Sequence, residues 1–251
     1  RELGCIDEAI NCFRHAIQID PETAGYFYNL GNALKDASLL QEAVEQYSKA
    51  LAISPEFAEA QNNLGDAWKL LGEHEQALVS HRRAVELQPV FPEAWFNIGN
   101  TLRALDRLDE SINSYQTAIE QNPEYADAWI NLGYTQEDLG HIDEAIRCYD
   151  KAIQIQPDLA DAHFNRALAW LRLGQFSQGW DEYESRWQRT CKDRPRPAGM
   201  EWRGESLLGQ SIHVYSEQGI GDELMFASCL PDLLSQIGRA SWRGRGETSG
   251  V

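Results

Sequence analysis

Trp129, Leu132, Gly133, Gly140, Ala145, Tyr149, Ala152 and Pro157 are matched 34 positions earlier by Trp95, Ile98, Gly99, Asp106, Ser111, Tyr115, Ala118 and Pro123. Two further steps of 34 keep the register. A fixed period of this length marks a stacked array of two-helix units, each burying its apolar face against its neighbours. Unit 126–159, ADAWINLGYTQEDLGHIDEAIRCYDKAIQIQPDL, shows both helices. Trp129, Leu132 and Gly133 share one stripe of the first, and Gly140 breaks it. Ile142, Ala145, Ile146, Tyr149, Ala152 and Ile153 form the stripe of the second, and Pro157 ends it. Gly133, Ala145 and Ala152 allow close helix approach while Trp129 and Tyr149 fill the space between.

The pattern resembles the tetratricopeptide repeat (TPR) at nearly every signature position. The resemblance implies an all-α fold, a right-handed TPR superhelix (α-solenoid), here with a short C-terminal α/β stub. The array is expected over residues 1–190, as a partial repeat 1–23 and five repeats over 24–190. Residues 191–237 are expected to be a linker and the start of a Rossmann-like lobe, and 238–251 an unstructured or non-native tail. The chain reads as a fragment of a longer protein: it starts without methionine, inside a repeat whose first helix is missing. The helix over 6–19 then carries a stripe of Ala9, Ile10, Phe13, Ala16 and Ile17 that lacks its preceding partner, and self-association through this exposed half-repeat is expected.

The formal charge of −17 falls almost entirely within residues 1–190. An array this acidic repels phosphate backbones, so nucleic acid is not an expected partner. The charge is read as a hydrated surface, with selection for a basic ligand as the alternative. No apolar run is long enough to span a membrane. Cys5, Cys12, Cys148, Cys191 and Cys229 form no CxxC and have no histidine at zinc-ligand spacing, so no metal site is expected. Reduced thiols suit a cytoplasmic location. Cys12 and Cys148 occupy one repeat position beside the core aromatic, where a thiol acts as a small hydrophobe.

Departures from the repeat are local. Gln61 and His163 replace the large first-helix residue, and Ser38 and Asp106 stand at the turn glycine. His81, in place of the second-helix aromatic, reads as a core histidine bonded to a backbone carbonyl. In the last unit Gly179 replaces alanine, and Trp180, Tyr183 and Trp187 offer either a terminal cap or a docking surface for a following domain.

Residues 211–216, SIHVYS, alternate like a short strand and lead into a glycine turn, Gly219 to Gly221, and an apolar helix over about 222–234. Strand, glycine turn and helix N-terminus make a phosphate-loop candidate, although Asp222 also suits a plain N-cap. The succession GWDEYESRW, a Pro/Arg-rich linker and EWRGESLLGQSIHVYSEQGIGDELMFASCLPDLL, over residues 179–237, is similar to the junction where bacterial TPR arrays pass into a two-Rossmann (GT-B) glycosyltransferase-like domain. Its GIGDELMFASCLPDL stretch resembles the first glycine loop of heptosyltransferases. That resemblance makes Asp222, matching a loop aspartate proposed as a base, the one catalytic candidate. The similarity stops after Ile237, short of the second lobe, so no catalysis and no cofactor are expected of this chain.

Asn29, Asn63, Asn97, Asn131 and Asn165 recur once per complete unit. Each lies about 150° from the centre of its helix's apolar stripe, outside the packed seam. Asparagine is a poor mid-helix residue, so its repetition calls for a reason. An amide offers both donor and acceptor and can pair with any peptide unit. The array resembles the TPR superhelix of O-linked N-acetylglucosamine transferase, whose asparagine ladder holds substrate peptides by their backbone. The resemblance implies a protein-protein interaction module that binds an extended peptide or partner segment, with the five asparagines, Tyr28, Phe96, Tyr134 and Phe164 lining a concave groove. A purely structural role for the ladder, bonding neighbouring helices, stays open beside it. The alternative function is that of the acceptor-recognition arm of a truncated protein O-glycosyltransferase.

Overall fold

The structure, a computed structural model, describes residues 2–183, 185, 212–215 and 240–243. It divides into two compact units, 1–193 and 194–251. Among the described residues the first unit is all helical. It opens with α1 (Glu2–Ile19) and continues in five helix pairs: α2 (Ala24–Asp36) with α3 (Leu40–Ile53), α4 (Ala58–Leu70) with α5 (His74–Leu87), α6 (Pro92–Ala104) with α7 (Leu108–Gln121), α8 (Ala126–Asp138) with α9 (Ile142–Ile155), and α10 (Ala160–Arg172) with α11 (Phe176–Tyr183). Each pair begins where the period places it.

One turn is used five times. Leu39, Glu73, Arg107, His141 and Gln175 donate their amide N–H to the carbonyls of Leu34, Trp68, Leu102, Gln136 and Trp170. The residue just before each donor is left-handed: Gly72, Gly140 and Gly174 with φ of 83°, 82° and 76°, and Ser38 and Asp106 with φ of 60° and 59°. This closes the first helix as a Schellman motif and turns the chain back onto its own stripe. Second helices end on Ser54, Gln88, Asn122 and Gln156, whose extended backbone is what a following proline demands.

The core repeats with the chain. Tyr47, His81, Tyr115 and Tyr149 are fully buried, each against the helix glycine 16 residues earlier: Gly31, Gly65, Gly99 and Gly133. Trp95 and Trp129 donate from Nε1 to the carbonyls of Pro89 and Pro123 at 3.4 and 3.1 Å. His163, which replaces the tryptophan, makes the same bond from Nε2 to Pro157 at 2.7 Å. At the end of the unit Arg166 pairs with Asp150 and Glu182 and lies over the Trp170 ring, tying α9, α10 and α11 together. Trp180 is exposed and Tyr183 half-buried, while Trp187 lies outside the described residues.

Each second helix sits between its own first helix and the next one. Successive first helices also touch (α2 with α4, α4 with α6, α6 with α8, α8 with α10), whereas no second helix touches the next among the described residues. The array therefore curves with its first helices on the inner side.

The α1 stripe is partly covered: Ile10 is buried, and Ile6, Phe13 and Ile17 are half-buried where α1 packs against α2, because a second-helix stripe also faces the first helix that follows. One expectation is corrected: Cys12 is exposed, unlike Cys148. The thiol of Cys148 is buried in a cluster with Ala128 and Leu132 of its own unit and Ile119 of the preceding one, and burial pushes its pKa up to about 12. Residues 240–243, within the stretch expected to be an unstructured or non-native tail, are a strand.

Of the second unit the described residues are two strands, β1 (Ile212–Tyr215) and β2 (Ala240–Arg243), paired in parallel with Ile212 opposite Ala240 and Tyr215 opposite Arg243. Pairing satisfies one edge of the β2 backbone without the apolar composition of a core. The glycine turn, the helix over 222–234, Gly219, Gly221 and Asp222 lie outside the described residues.

Candidate functional site

The five ladder asparagines stand on the first helices and differ in depth. Asn29 is exposed, Asn63, Asn97 and Asn131 are half-buried, and Asn165 is buried. For all but Asn29, the expectation that these asparagines stand outside the packed seam is corrected. A first helix also meets the next first helix, so Asn63, Asn97, Asn131 and Asn165 lie in a second seam between repeats.

There they make one recurrent junction. In the first, Asn32 Oδ1 accepts from the Tyr47 hydroxyl at 2.7 Å and from Asn63 Nδ2 of the following unit at 2.8 Å. Two units on, Asn100 Oδ1 accepts from the Tyr115 hydroxyl and from Asn131 Nδ2, both at 2.7 Å. Between them the residues change but the logic holds: Asn62 Oδ1 takes His81 Nδ1 and Asn97 Nδ2, each at 3.1 Å. A single amide oxygen thus joins the second-helix ring of one repeat to the ladder asparagine of the next. Sequence reasoning missed Asn32, Asn62 and Asn100. The 34-residue register does hold Asn32 and Asn100, but Asp66 and Tyr134 interrupt it.

His81 also departs from expectation, since it bonds the Asn62 side chain instead of a backbone carbonyl. The 15-residue spacing that joins Tyr47 to Asn32 ends on Asp66 here, whose Oδ1 lies 3.9 Å from His81 Nε2. Asp66 is held by Lys69 at 3.1 Å, and Asn62, one helical turn earlier, supplies the oxygen instead. Burial dominates the histidine's titration and lowers its pKa to about 4, with Asp66 opposing and Lys69 adding to the shift.

The four aromatics expected to line a groove pack within and between repeats. Tyr28 lies against Phe57 and Tyr47, with ring centroids 4.8 and 6.1 Å apart, and its hydroxyl accepts from Asn63 Nδ2 at 3.1 Å. Phe96 meets Tyr125 and Tyr115 in the same way, Tyr134 meets Tyr149 edge-on, and Phe164 meets Tyr183. All four remain half-buried. Charged groups border them: Lys69 Nζ reaches Asn97 Oδ1 at 3.4 Å, and Arg103 pairs with Asp138 at 2.9 Å while covering the Tyr134 ring. No group of three metal-ligating side chains occurs among the described residues, nor does a helix long and apolar enough to cross a membrane. The inner face can donate and accept hydrogen bonds and stack on rings.

Comparison with known proteins accords with this geometry. The family model for the TPR repeat matches residues 1–37, 40–72, 99–140 and 137–174, more than half of the chain. Protein FlbA of Caulobacter vibrioides is 43% identical over 75 residues, a stretch covering 29% of this chain and 13% of FlbA. The solved structure of MamA superposes with a TM-score of 0.59 at 26% identity, covering 65% of this chain and 96% of MamA. That of YrrB, described as a TPR protein with an unusual peptide-binding site, gives 0.58 at 21% identity, covering 70% and 91%, and shares the fold alone.

Proposed function

Since this chain belongs to the TPR repeat family and is a protein-interaction module, we propose that its inner face binds an extended peptide or partner segment along the asparagine ladder. The observation that supports the reading is the contact between successive first helices, the elements that carry Asn29, Asn63, Asn97, Asn131 and Asn165. Tying the repeats together uses only part of each amide. An NH2 group has two hydrogens and a carbonyl two lone pairs, so a rung can hold the neighbouring repeat and a ligand at once. Tyr28, Phe96, Tyr134 and Phe164 supply flat apolar contact beside the rungs. Because amides pair with backbone groups of any residue, recognition is tolerant of side-chain sequence.

The test is direct. Peptides selected from a random display library on the intact chain are measured by fluorescence anisotropy against Asn29→Ala and against Asn97→Ala/Asn131→Ala, with thermal stability followed in parallel. Each variant is expected to weaken unrelated peptides alike, by about 1–3 kcal/mol for polar groups left unpaired. Unchanged peptide affinity in Asn29→Ala, together with a loss in the double variant that merely follows its stability, would overturn the reading.

A further inference from the structure

At three repeat junctions one amide oxygen collects two donors, the second-helix ring and the next ladder asparagine. The fourth junction has both donors and lacks the oxygen. The position of Asn32 and Asn100 is taken by Tyr134, and the position of Asn62 by Ile130. Tyr134 is too long to fold back onto Tyr149. It reaches forward instead, and its hydroxyl donates to Asn165 Oδ1 at 2.9 Å. The Tyr149 hydroxyl and Asn165 Nδ2 are consequently buried with no hydrogen-bond partner. Tyr149 is 0% exposed and Asn165 2%. A third buried atom without a partner, Glu137 Oε1, belongs to the same junction. Its residue stands where Lys69 stands two junctions earlier, and Lys69 reaches the ladder asparagine Asn97 at 3.4 Å. Its charge also acts on Tyr149, raising the tyrosine's pKa after burial itself.

Two donors and one acceptor, all buried and all left over, define the missing group. It must present an oxygen where the Asn32 and Asn100 oxygens sit, to take both N–H and O–H, and an N–H toward Glu137. A primary carboxamide has that pattern, and it is the group the chain itself uses at the first three junctions. Unpaired buried polar groups carry a standing penalty that such a ligand relieves. We infer that the junction of Tyr134, Glu137, Tyr149 and Asn165 is a subsite for the side-chain carboxamide of an asparagine or glutamine in the bound partner. The inference rests on the inner-face reading of the ladder, and it adds a side-chain preference to a recognition mode otherwise indifferent to sequence. Tyr134, half-buried beside these atoms, donates one neutral hydrogen bond to Asn165, lies under the Arg103 guanidinium and meets the Tyr149 ring edge-on.

Acetamide is the probe, titrated into the 15N-labelled full chain, with acetone as the matched acceptor that has no N–H. The side-chain NH2 signal of Asn165, identified by its loss in Asn165→Asp, is expected to shift saturably with acetamide. Acetone should bind about tenfold more weakly, the factor for losing one hydrogen bond to a carboxylate. In Tyr134→Asn the chain supplies its own amide, as at Asn32 and Asn100, so the response should vanish while the backbone spectrum stays folded. Should that variant fail to fold, Glu137→Ala serves in its place: acetamide binding falls to the level of acetone, and acetone binding is unchanged. An absent or non-saturating shift, equal binding of acetone, or a long-lived water on Asn165 that acetamide does not displace would overturn the proposal. No extended peptide takes part in this titration, so a failure here and a failure of the ladder reading are separate results.

Discussion

A Cβ placed on Gly99 lies 2.5 Å from Cε1 of Tyr115. The ring cannot retreat, because its hydroxyl is bonded to Asn100 and its residue is fully buried. Gly31 with Tyr47, Gly65 with His81 and Gly133 with Tyr149 repeat the contact at 2.6 Å. The last unit shows the exception: Ala167 replaces the glycine, and the facing Tyr183 is only half-buried.

Gly99→Ala should therefore destabilise the array by about 1–3 kcal/mol, the usual cost of overpacking, despite alanine's better helix propensity. Urea unfolding of the variant measures it. A stabilised variant would mean that the Tyr115 ring moves aside readily.

Ser38 and Asp106 hold left-handed backbone at turns where three other units use glycine. A side chain there costs roughly 1–2 kcal/mol, less for aspartate, which tolerates this region better. Ser38→Gly is expected to raise the unfolding free energy by about 1 kcal/mol and Asp106→Gly by less. A loss at either position would show that the Ser38 or Asp106 side chain contributes more to its turn than the backbone strain costs.

His81 makes the fold sensitive to acid. Its pKa is about 4 when folded and about 6.5 when unfolded. As pH falls below about 6.5 the unfolded chain takes up the proton first, so stability present above that value is lost progressively down to about pH 4. The loss attributable to this one group approaches about 3 kcal/mol. His81→Tyr restores the residue of the other repeats and aims a hydroxyl at Asp66. Comparing unfolding free energies at pH 7 and pH 4.5, the variant should gain on the natural chain at the lower pH. An equal difference at the two values would show that His81 does not stay neutral in the core.

The helices and turns were legible because they are local and repeated. Amphipathic stripes, a breaker between the helices of each unit and a proline after each second helix mark every boundary within a few residues of one another. Solenoid packing adds little to that information, since each unit meets only its neighbours. The ladder was legible as a regularity but not as chemistry. A period shows that Asn63, Asn97 and Asn131 stand in line, yet their bonding partners lie 31 or 35 residues away, outside the 34-residue register that made the line visible.

What the sequence alone determined, then, is the repeat, its register and the small-against-large pairing that lets helices approach. What tertiary structure alone decided is which atoms are satisfied. Cys12 and Cys148 share a repeat position and differ in exposure, because burial depends on the unit stacked behind. Tyr47, Tyr115 and Tyr149 share a position too, yet only the first two find an oxygen. The partner of each hydroxyl comes from its own unit's first helix, and a single replacement there, Tyr134, leaves buried donors unpaired. Hydrogen-bond satisfaction is a property of the assembled junction, and no single repeat contains a whole junction.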